Sequence, residues 1–453
     1  MDVAFEERLR SELRTSAEAV TVAGDLPARV DRRIRRRRRH TASVRVAAGV
    51  MVVAALVAGL TVGRRGGDDA TELLAPPVGS AAEGMWESLP EAPISARFQQ
   101  AAVWTGDEMV VFGGNDGGAG SGNAGGAAAY SPATGSWRPL ADPPDDVSGS
   151  AVAVWTGSEV VAFGGPPDGR THGAVYDPQA DSWRPVASSS LGTTVSSFTH
   201  VAWTGEQVLV VGAFGLRTPG GKRGAALYDP ATDHWTGLPD APEALPEGKA
   251  VWTGTELVLV GTDEGSGSRA PQRLYALALD PATATWRTFP DAPLAARGQA
   301  LVAWTGSEVV VAGGHDYTRS TNLGDSRDAA ALDPATGTWR LLPEAPAAFE
   351  GIDRYDDVTV DGQVIAFLTA DPEGRVLVFD PATEAWRWAT APDRPELQAP
   401  DELPGRREAP VVSTGSSALI WGGGVSSAEG NGAWNCCRPV GEGAMFTPPA
   451  LPG

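Results

Sequence analysis

The sequence predicts an all-β fold, a seven-bladed β-propeller that occupies residues 85–449 of the 453-residue chain. Two tryptophan-containing patterns recur along the chain at a spacing of about 46 to 53 residues, which is typical of a solenoid or propeller. Each unit contains four short apolar runs separated by turn residues, as expected of four antiparallel strands. The last unit lacks its fourth strand, and an isolated fourth strand stands at the start of the repeats.

The first pattern opens each unit. In "WTGDEMVVFGG", a Trp-Thr-Gly turn joins the first two apolar runs, and its glycine supplies the positive φ of a tight turn. We interpret the turn as scaffold, with tryptophan packed between blades. Its five tryptophans are Trp104, Trp155, Trp203, Trp252 and Trp304. Glutamates follow four of the turns, and we expect solvated strand starts or a cation-binding ring at Glu108, Glu159, Glu256 and Glu308.

The second pattern closes each unit. A Tyr, Leu or Phe is followed, after six intervening residues, by a tryptophan that begins the fourth strand. These structural tryptophans are Trp137, Trp183, Trp235, Trp286, Trp339 and Trp386. The isolated segment "MWESLPEAP", with Trp86, matches the fourth-strand segments "TWRTFPDAP" and "TWRLLPEAP".

With the diglycines Gly113-Gly114, Gly164-Gly165 and Gly313-Gly314, both patterns resemble the kelch repeat from Trp86 to Pro449. The resemblance implies a kelch-type propeller of the galactose oxidase central-domain-like superfamily. The diglycine is replaced in the third and fourth units by Gly212-Ala213 and Gly261-Thr262.

The strand count predicts how the ring closes. Six units end at Trp386, and a seventh begins at Val411 without reaching a fourth strand. Joining the N-terminal segment to this last unit, as its outer strand, completes the seventh blade and leaves no long open edge. We expect the propeller to be monomeric.

The residues before the propeller predict a single-pass membrane protein. An uncharged run of eighteen residues, Val46–Gly63, follows the basic segment "RRIRRRRRH", and it is long enough to cross a bilayer of about 30 Å. The positive-inside rule then places residues 1–43 in the cytoplasm, a helix at 44–63 in the membrane, and the propeller outside, after a linker at 64–84. A cleaved signal peptide is the alternative, although its basic flank would be unusually long.

The residues before the propeller bear on two possible functions, transmembrane signalling and nucleic-acid binding. Residues 5–20 show the apolar spacing of a short amphipathic helix, and the segment resembles cytosolic tails of actinobacterial membrane proteins that accompany sigma factors. A transmembrane signalling regulator is therefore one alternative function. Nucleic acid is not an expected partner, because the net charge is −20 although residues 1–65 carry fourteen Arg against seven acidic residues.

The expected ligand site lies on the propeller face that carries the variable loops. Some cationic and aromatic side chains stand before or near the start of the first strand of a unit, and others follow the second strand. Kelch units often carry Arg before the first strand. The candidates are Arg97, Arg297, Arg406, Arg354, His200, Lys249, His315 and Tyr317. They predict binding of an anionic protein or cell-envelope ligand, or else pairing of each cation with a neighbouring carboxylate.

We expect a binding protein without cofactor or bound metal. The second alternative function is an enzyme of the oxidase or glycosidase kind. The propeller histidines, His172, His200, His234 and His315, lie in different units without metal-ligand spacing. The copper site implied by a resemblance to galactose oxidase, with two His, two Tyr and a linked Cys, cannot be assigned. Cys436 and Cys437 are the only cysteines and predict a vicinal disulfide or intermolecular links.

Overall fold

A computed structural model describes residues 82–117, 123–164, 172–189, 199–212, 224–243, 247–262, 273–316, 326–347, 357–367, 376–390, 408–425 and 438–449. The cytosolic segment, the membrane run, nearly all of the linker and both cysteines lie outside these ranges, and their predictions stay predictions. Within the ranges, the one helix is a 3-10 turn at Asp145–Val147. Nothing in the described part of the chain forms a helix with the length and hydropathy needed to span a membrane.

The described strands form seven four-stranded antiparallel blades, which confirms the predicted fold and blade number. From the inner to the outer strand, they are Ala101–Trp104, Met109–Phe112, Ala127–Ser131 and Ser136–Leu140 in blade 1; Val152–Trp155, Val160–Gly164, His172–Asp177 and Ser182–Pro185 in blade 2; His200–Trp203, Val208–Gly212, Gly224–Asp229 and His234–Gly237 in blade 3; Glu247–Trp252, Leu257–Thr262, Leu274–Asp280 and Thr285–Thr288 in blade 4; Leu301–Trp304, Val309–Ala312, Ala329–Asp333 and Thr338–Leu342 in blade 5; Asp357–Val360, Gln363–Phe367, Val376–Asp380 and Ala385–Thr390 in blade 6; and Val411–Ser413, Ala418–Trp421, Gly443–Thr447 and Met85–Ser88 in blade 7.

Short two-residue ladders complete the described sheet structure. Arg297–Gly298 pairs with His315–Asp316, and Gly424–Val425 pairs with Arg438–Pro439. Ala82–Glu83 runs parallel to the end of the outer strand of blade 6. This fifth strand was not predicted from the sequence.

The core consists of layers between blades. The second strands are apolar apart from Thr262 and Gln363 at two strand ends, since their side chains are covered on both sides by neighbouring blades. Met109–Phe112, for example, is buried at every position. Buried side chains of the described residues form seven clusters, one between each pair of consecutive blades. The inner strands contact one another in order, from blade 1 round to blade 7 and back, so the ring is closed.

The N-terminal strand closes that ring. Met85–Ser88 pairs antiparallel with Gly443–Thr447, and the Leu89 N–H donates to the Gly443 carbonyl at 2.9 Å. Gly84 precedes this strand where a Cβ would lie 2.2 Å from the Phe446 ring. A glycine therefore lets the chain pass from the edge of blade 6 to the edge of blade 7.

The fourth-strand tryptophans also join neighbouring blades. In blade 2, the Trp183 indole N–H donates to the carbonyl of Ala141, four residues after Trp137 of blade 1. The same bond, to a carbonyl four residues after the preceding blade's tryptophan, is 2.7–2.9 Å long at Trp137, Trp235, Trp286, Trp339 and Trp386. Trp86 of blade 7 is the exception, because its buried Nε1 has no acceptor among the described residues.

The diglycines stand at the end of the second strand, where the backbone conformation and the close packing leave no room for a side chain. Gly313 and Gly314 have φ values of 63° and 87°, which favour glycine. A Cβ on Gly314 would lie 2.6 Å from the carbonyl oxygen of Gly298, on the segment that leads into the inner strand. The doublet thus permits the close approach of two backbone segments beside the channel.

Candidate functional site: the loop-face end of the central channel

Each inner strand begins on the face that carries the strand 2–3 loops, here called the loop face, and ends at the turn that follows it, on the opposite turn face. The candidate cations that the structure describes therefore lie at the loop-face end of an inner strand or just before it. The structure describes five of the eight candidate residues. Arg354, Arg406 and Tyr317 lie outside the described ranges.

Arg97 is inside the scaffold of the loop face. Its side chain is fully buried, and the guanidinium donates to the carbonyls of Ser95, Gly113, Gly125 and Gly126 and to the Ser95 hydroxyl at 2.8–3.2 Å. All five of its N–H groups are thus engaged. Burial lowers the pKa of the Arg97 guanidinium to about 10. This geometry holds the loop in place and presents no donor to the channel.

Arg297 occupies the equivalent position before blade 5. It donates to the carbonyls of Ala295 and Gly313 and forms a bidentate pair with Asp328 at 2.7 and 3.0 Å. Hydrogen bonds from Arg297 hold the pKa of the Asp328 carboxyl below its usual range. This is the arrangement expected of the alternative in which a cation pairs with a neighbouring carboxylate.

His315 lies away from the channel-lining set. Its backbone pairs with Gly298 in the short ladder before blade 5, and its side chain is half-buried. The next residue, Asp316, is buried and lies opposite Arg297 in the same ladder. The loop-face scaffold of blade 5 therefore includes these residues.

His200 and Lys249 occupy one level of the channel. Each stands three residues before the tryptophan that ends its inner strand, and each pairs with a residue three positions beyond the start of the second strand, Val211 or Val260. Because blades 3 and 4 are adjacent, this shared register places the two residues at the same level of neighbouring inner strands, near the loop-face end. Both side chains are half-buried.

A cavity of about 390 Å³ brings these two residues together with the inner strands of five blades. Its loop-face end includes Thr199, His200 and Lys249, and its turn-face end includes Trp252 and Trp304. Val152 stands at the same level as His200 and Lys249. Valines and alanines line the length between the ends: Ala250, Val251, Val302, Ala303 and Val358. The volume is within the range of small-molecule sites.

The turn-face end is fixed by hydrogen bonds between inner strands. The Thr359 hydroxyl donates to the Trp304 carbonyl at 2.8 Å, and the Ser413 hydroxyl donates to the Thr359 carbonyl at 2.8 Å. By register, Thr359 and Ser413 stand where the other inner strands end in tryptophan. The cavity is therefore polar and cationic at one end, apolar along its walls, and aromatic at the other end.

The rarity of lysine in the sequence singles out Lys249, which the repeat pattern alone does not. Among 36 basic residues, the chain has two lysines, Lys222 and Lys249. An ammonium group is a compact charge on a flexible stem, whereas arginine offers a rigid fork of donors. One of these two lysines lines the cavity, in a blade where both the diglycine and the preceding arginine are missing.

The glutamates after the Trp-Thr-Gly turns are neither solvated strand starts nor a cation-binding ring. Each accepts hydrogen bonds from an arginine on the outer strand of its own blade, two strands away. The pairs are Glu108–Arg138 at 2.7 Å, Glu159–Arg184 at 3.0 Å, Glu308–Arg340 at 2.6 Å and Glu256–Arg287. The hydrogen bonds that the Arg138 guanidinium donates to the Glu108 carboxylate raise the pKa of Arg138. These pairs belong to the scaffold.

A copper site of the oxidase kind is not assembled by the described residues. They contain no group of three or more His, Cys, Asp or Glu side chains placed to hold a metal ion. His200, the one histidine of the cavity lining, stands beside a lysine, which is not a metal ligand at neutral pH.

Fold and channel define a seven-bladed β-propeller with a polarised central cavity. The structure is similar to that of a fungal alcohol oxidase of the AA5 family, solved in complex with copper, with a TM-score of 0.54 and 14% identity over 82% of this chain and 77% of that one. The likeness establishes the fold, in agreement with the resemblance to galactose oxidase-like propellers. No family model matches the chain. No curated protein matches its sequence.

Proposed function

We propose that this chain is a membrane-anchored, extracytoplasmic binding protein that holds an anionic group of a protein or cell-envelope ligand at the loop-face end of its channel. Residues 46–63 would supply the anchor. Lys249 would supply the positive charge, and His200 a second donor beside it. The observation that carries the proposal is the shared register of these two residues at one end of a cavity of about 390 Å³.

The charge of the whole chain opposes an anionic ligand, so binding of one would depend on a local cation. With a net charge of −20, the protein repels anions in general. A ligand that is nevertheless anionic needs a local cation in a partly enclosed place, where the effective dielectric is lower and an ionic contact is stronger. Lys249 lines such a cavity.

The presence of only two lysines makes a direct binding test practical. Reductive ¹³C-methylation of the full-length chain labels Lys222, Lys249 and the N-terminal amine, and a Lys222→Arg variant assigns the signals. On titration with butanoate or inorganic phosphate, we expect the dimethyl-Lys249 signal to shift and the Lys222 signal to stay in place. Equal shifts of both lysines, or no shift of Lys249, would contradict the proposal.

Variants of the two residues complete the test. Lys249→Met should weaken binding of the same anion about tenfold or more, since a hydrogen bond to a charged group contributes about 1.5–3 kcal/mol. His200→Gln, which keeps a donor without a titratable ring, should weaken it less. Lys222→Met is the matched control, because it removes the same charge at a residue that is not among the lining residues of the cavity, and it should leave the affinity unchanged.

A further inference from the structure

We infer that the ligand of the channel is an amphipathic anion: a carboxylate or similar head group joined to an apolar body that extends through the channel to Trp252 and Trp304. This inference rests on the proposed function and adds the chemical class of the ligand. It follows from the different chemistry of the two ends and the walls of the cavity, which are lined by polar, aromatic and aliphatic residues respectively.

The walls between the two ends carry no charged side chain among the residues that line the cavity. Val251, Val302 and Val358 come from three neighbouring inner strands, and all three line the cavity. Val251 and Val358 are half-buried, so apolar surface remains uncovered there. A small inorganic anion at Lys249 would leave that surface in contact with water, whereas an apolar body would cover it.

The length of the cavity sets the length of that body. Lys249 and Trp252 are three residues apart on one extended strand, which corresponds to about 10 Å along the channel. An alkyl chain of octanoate length spans this distance. Chains longer than the channel should gain no further contact with its walls.

The turn-face end suits the end of an apolar body. Trp252 and Trp304 are half-buried and belong to neighbouring blades, and both line the cavity. The Thr359 hydroxyl at that end already donates to the Trp304 carbonyl. The described polar group at that end thus has a partner within the protein, and the indoles supply the contact surface.

The first experiment measures affinity against chain length, with the full-length chain held in lipid nanodiscs and empty nanodiscs as the blank. Calorimetric titrations with butanoate, hexanoate, octanoate and dodecanoate should show affinity rising about fourfold per methylene up to octanoate and then levelling. Octan-1-ol, which has the tail without the charge, should bind at least tenfold more weakly than octanoate. The same affinity for butanoate and octanoate would overturn the inference while leaving anion binding intact.

The second experiment tests the orientation. Bromine quenches indole fluorescence at short range, so 8-bromooctanoate, with bromine at the tail, should quench more strongly than 2-bromooctanoate, with bromine beside the head group. A Trp252→Phe, Trp304→Phe double variant should lose most of this difference at saturating ligand and should bind octanoate more weakly than the unchanged protein. Equal quenching by the two isomers in the unchanged protein would show that the tail does not reach the tryptophans.

The two levels of the proposal fail in different ways. If no anion binds and Lys249→Met changes nothing, the proposed function is wrong. If butanoate binding depends on Lys249 but does not strengthen with chain length, the proposed function stands and the amphipathic ligand is wrong. If octanoate and octan-1-ol bind equally, the channel is an apolar site and the anionic head group is wrong.

Discussion

At the scale of single residues, two arginines that occupy equivalent sequence positions have different partners. Arg297 is neutralised by Asp328, whereas Arg97 is surrounded by carbonyls, because a glycine, Gly126, stands at the position of Asp328. A buried guanidinium can be stabilised in either way, by a carboxylate or by several carbonyls. The sequence position alone therefore does not distinguish a ligand-binding arginine from a scaffold arginine.

The Arg297–Asp328 pair predicts a pH-dependent stability. Since the pKa of Asp328 is lowered in the folded protein, its contribution is present above the usual aspartate pKa of about 4 and is lost as pH falls through the lowered value. Asp328→Asn should cost about 1 kcal/mol at pH 6, a modest amount because the carboxylate is 43% exposed.

Thermal unfolding of both proteins at pH 6, 4 and 2.5 checks this prediction. The gap in melting temperature between the parent chain and Asp328→Asn should be largest at pH 6 and shrink towards pH 2.5. A gap that stays constant over the whole range would show that the pair contributes no pH-dependent stability.

At the scale of elements, the fourth-strand tryptophans connect each blade to the preceding one through an indole N–H. Trp183 has its acceptor at 2.9 Å, and the buried Nε1 of Trp86 has none among the described residues. A buried donor without a partner costs about 1–3 kcal/mol, whereas a satisfied bond contributes about 1 kcal/mol.

Because one indole N–H has an acceptor and the other has none, removal of the N–H should have opposite effects on the free energy of unfolding at the two positions. Benzothienylalanine has the shape of tryptophan without the N–H. At position 183 it should lower the free energy of unfolding by about 1 kcal/mol, and at position 86 it should raise it. Denaturant unfolding of the two variants decides the matter, and a loss of stability at position 86 equal to that at position 183 would contradict the prediction.

The sequence was sufficient to predict the four strands of each blade and insufficient to predict the added strand Ala82–Glu83 and most of the side-chain partners. Blade number, strand order and the closing strand followed from the spacing of Trp104, Trp137 and their counterparts, because a repeat period records the fold directly. The pairing of Glu108 with Arg138 was missed, since it depends on which residues face each other across an intervening strand. The cavity was missed for a similar reason: its lining comes from five separate units.

At the scale of the whole molecule, seven interblade layers are held in a ring by one junction between the two ends of the propeller. Glu87 and Met445 face each other across that junction, and neither is fully buried. Cysteines at these two positions would replace a non-covalent closure by a covalent one at an antiparallel pair, whose Cα separation of about 5.5 Å suits a disulfide.

The double variant Glu87→Cys, Met445→Cys should therefore be more stable when oxidised. The chain-entropy account gives up to about 5 kcal/mol for a loop that includes nearly the entire propeller. Melting temperature with and without reductant measures the effect, in a background with Cys436→Ser and Cys437→Ser to prevent exchange. If oxidation left the melting temperature unchanged, opening of this junction would not be the step that limits unfolding.

The path of the chain into the propeller has a mechanical consequence. Ala82–Glu83 is held along the edge of blade 6, and the chain then crosses at Gly84 to Met85–Ser88 on blade 7. A pulling force applied upstream of Ala82 must separate the two-residue ladder on blade 6 before it reaches the strand that closes the ring. The short ladder would thus break first under tension from the N-terminal side and could form again afterwards, while the strand that closes the ring stays paired.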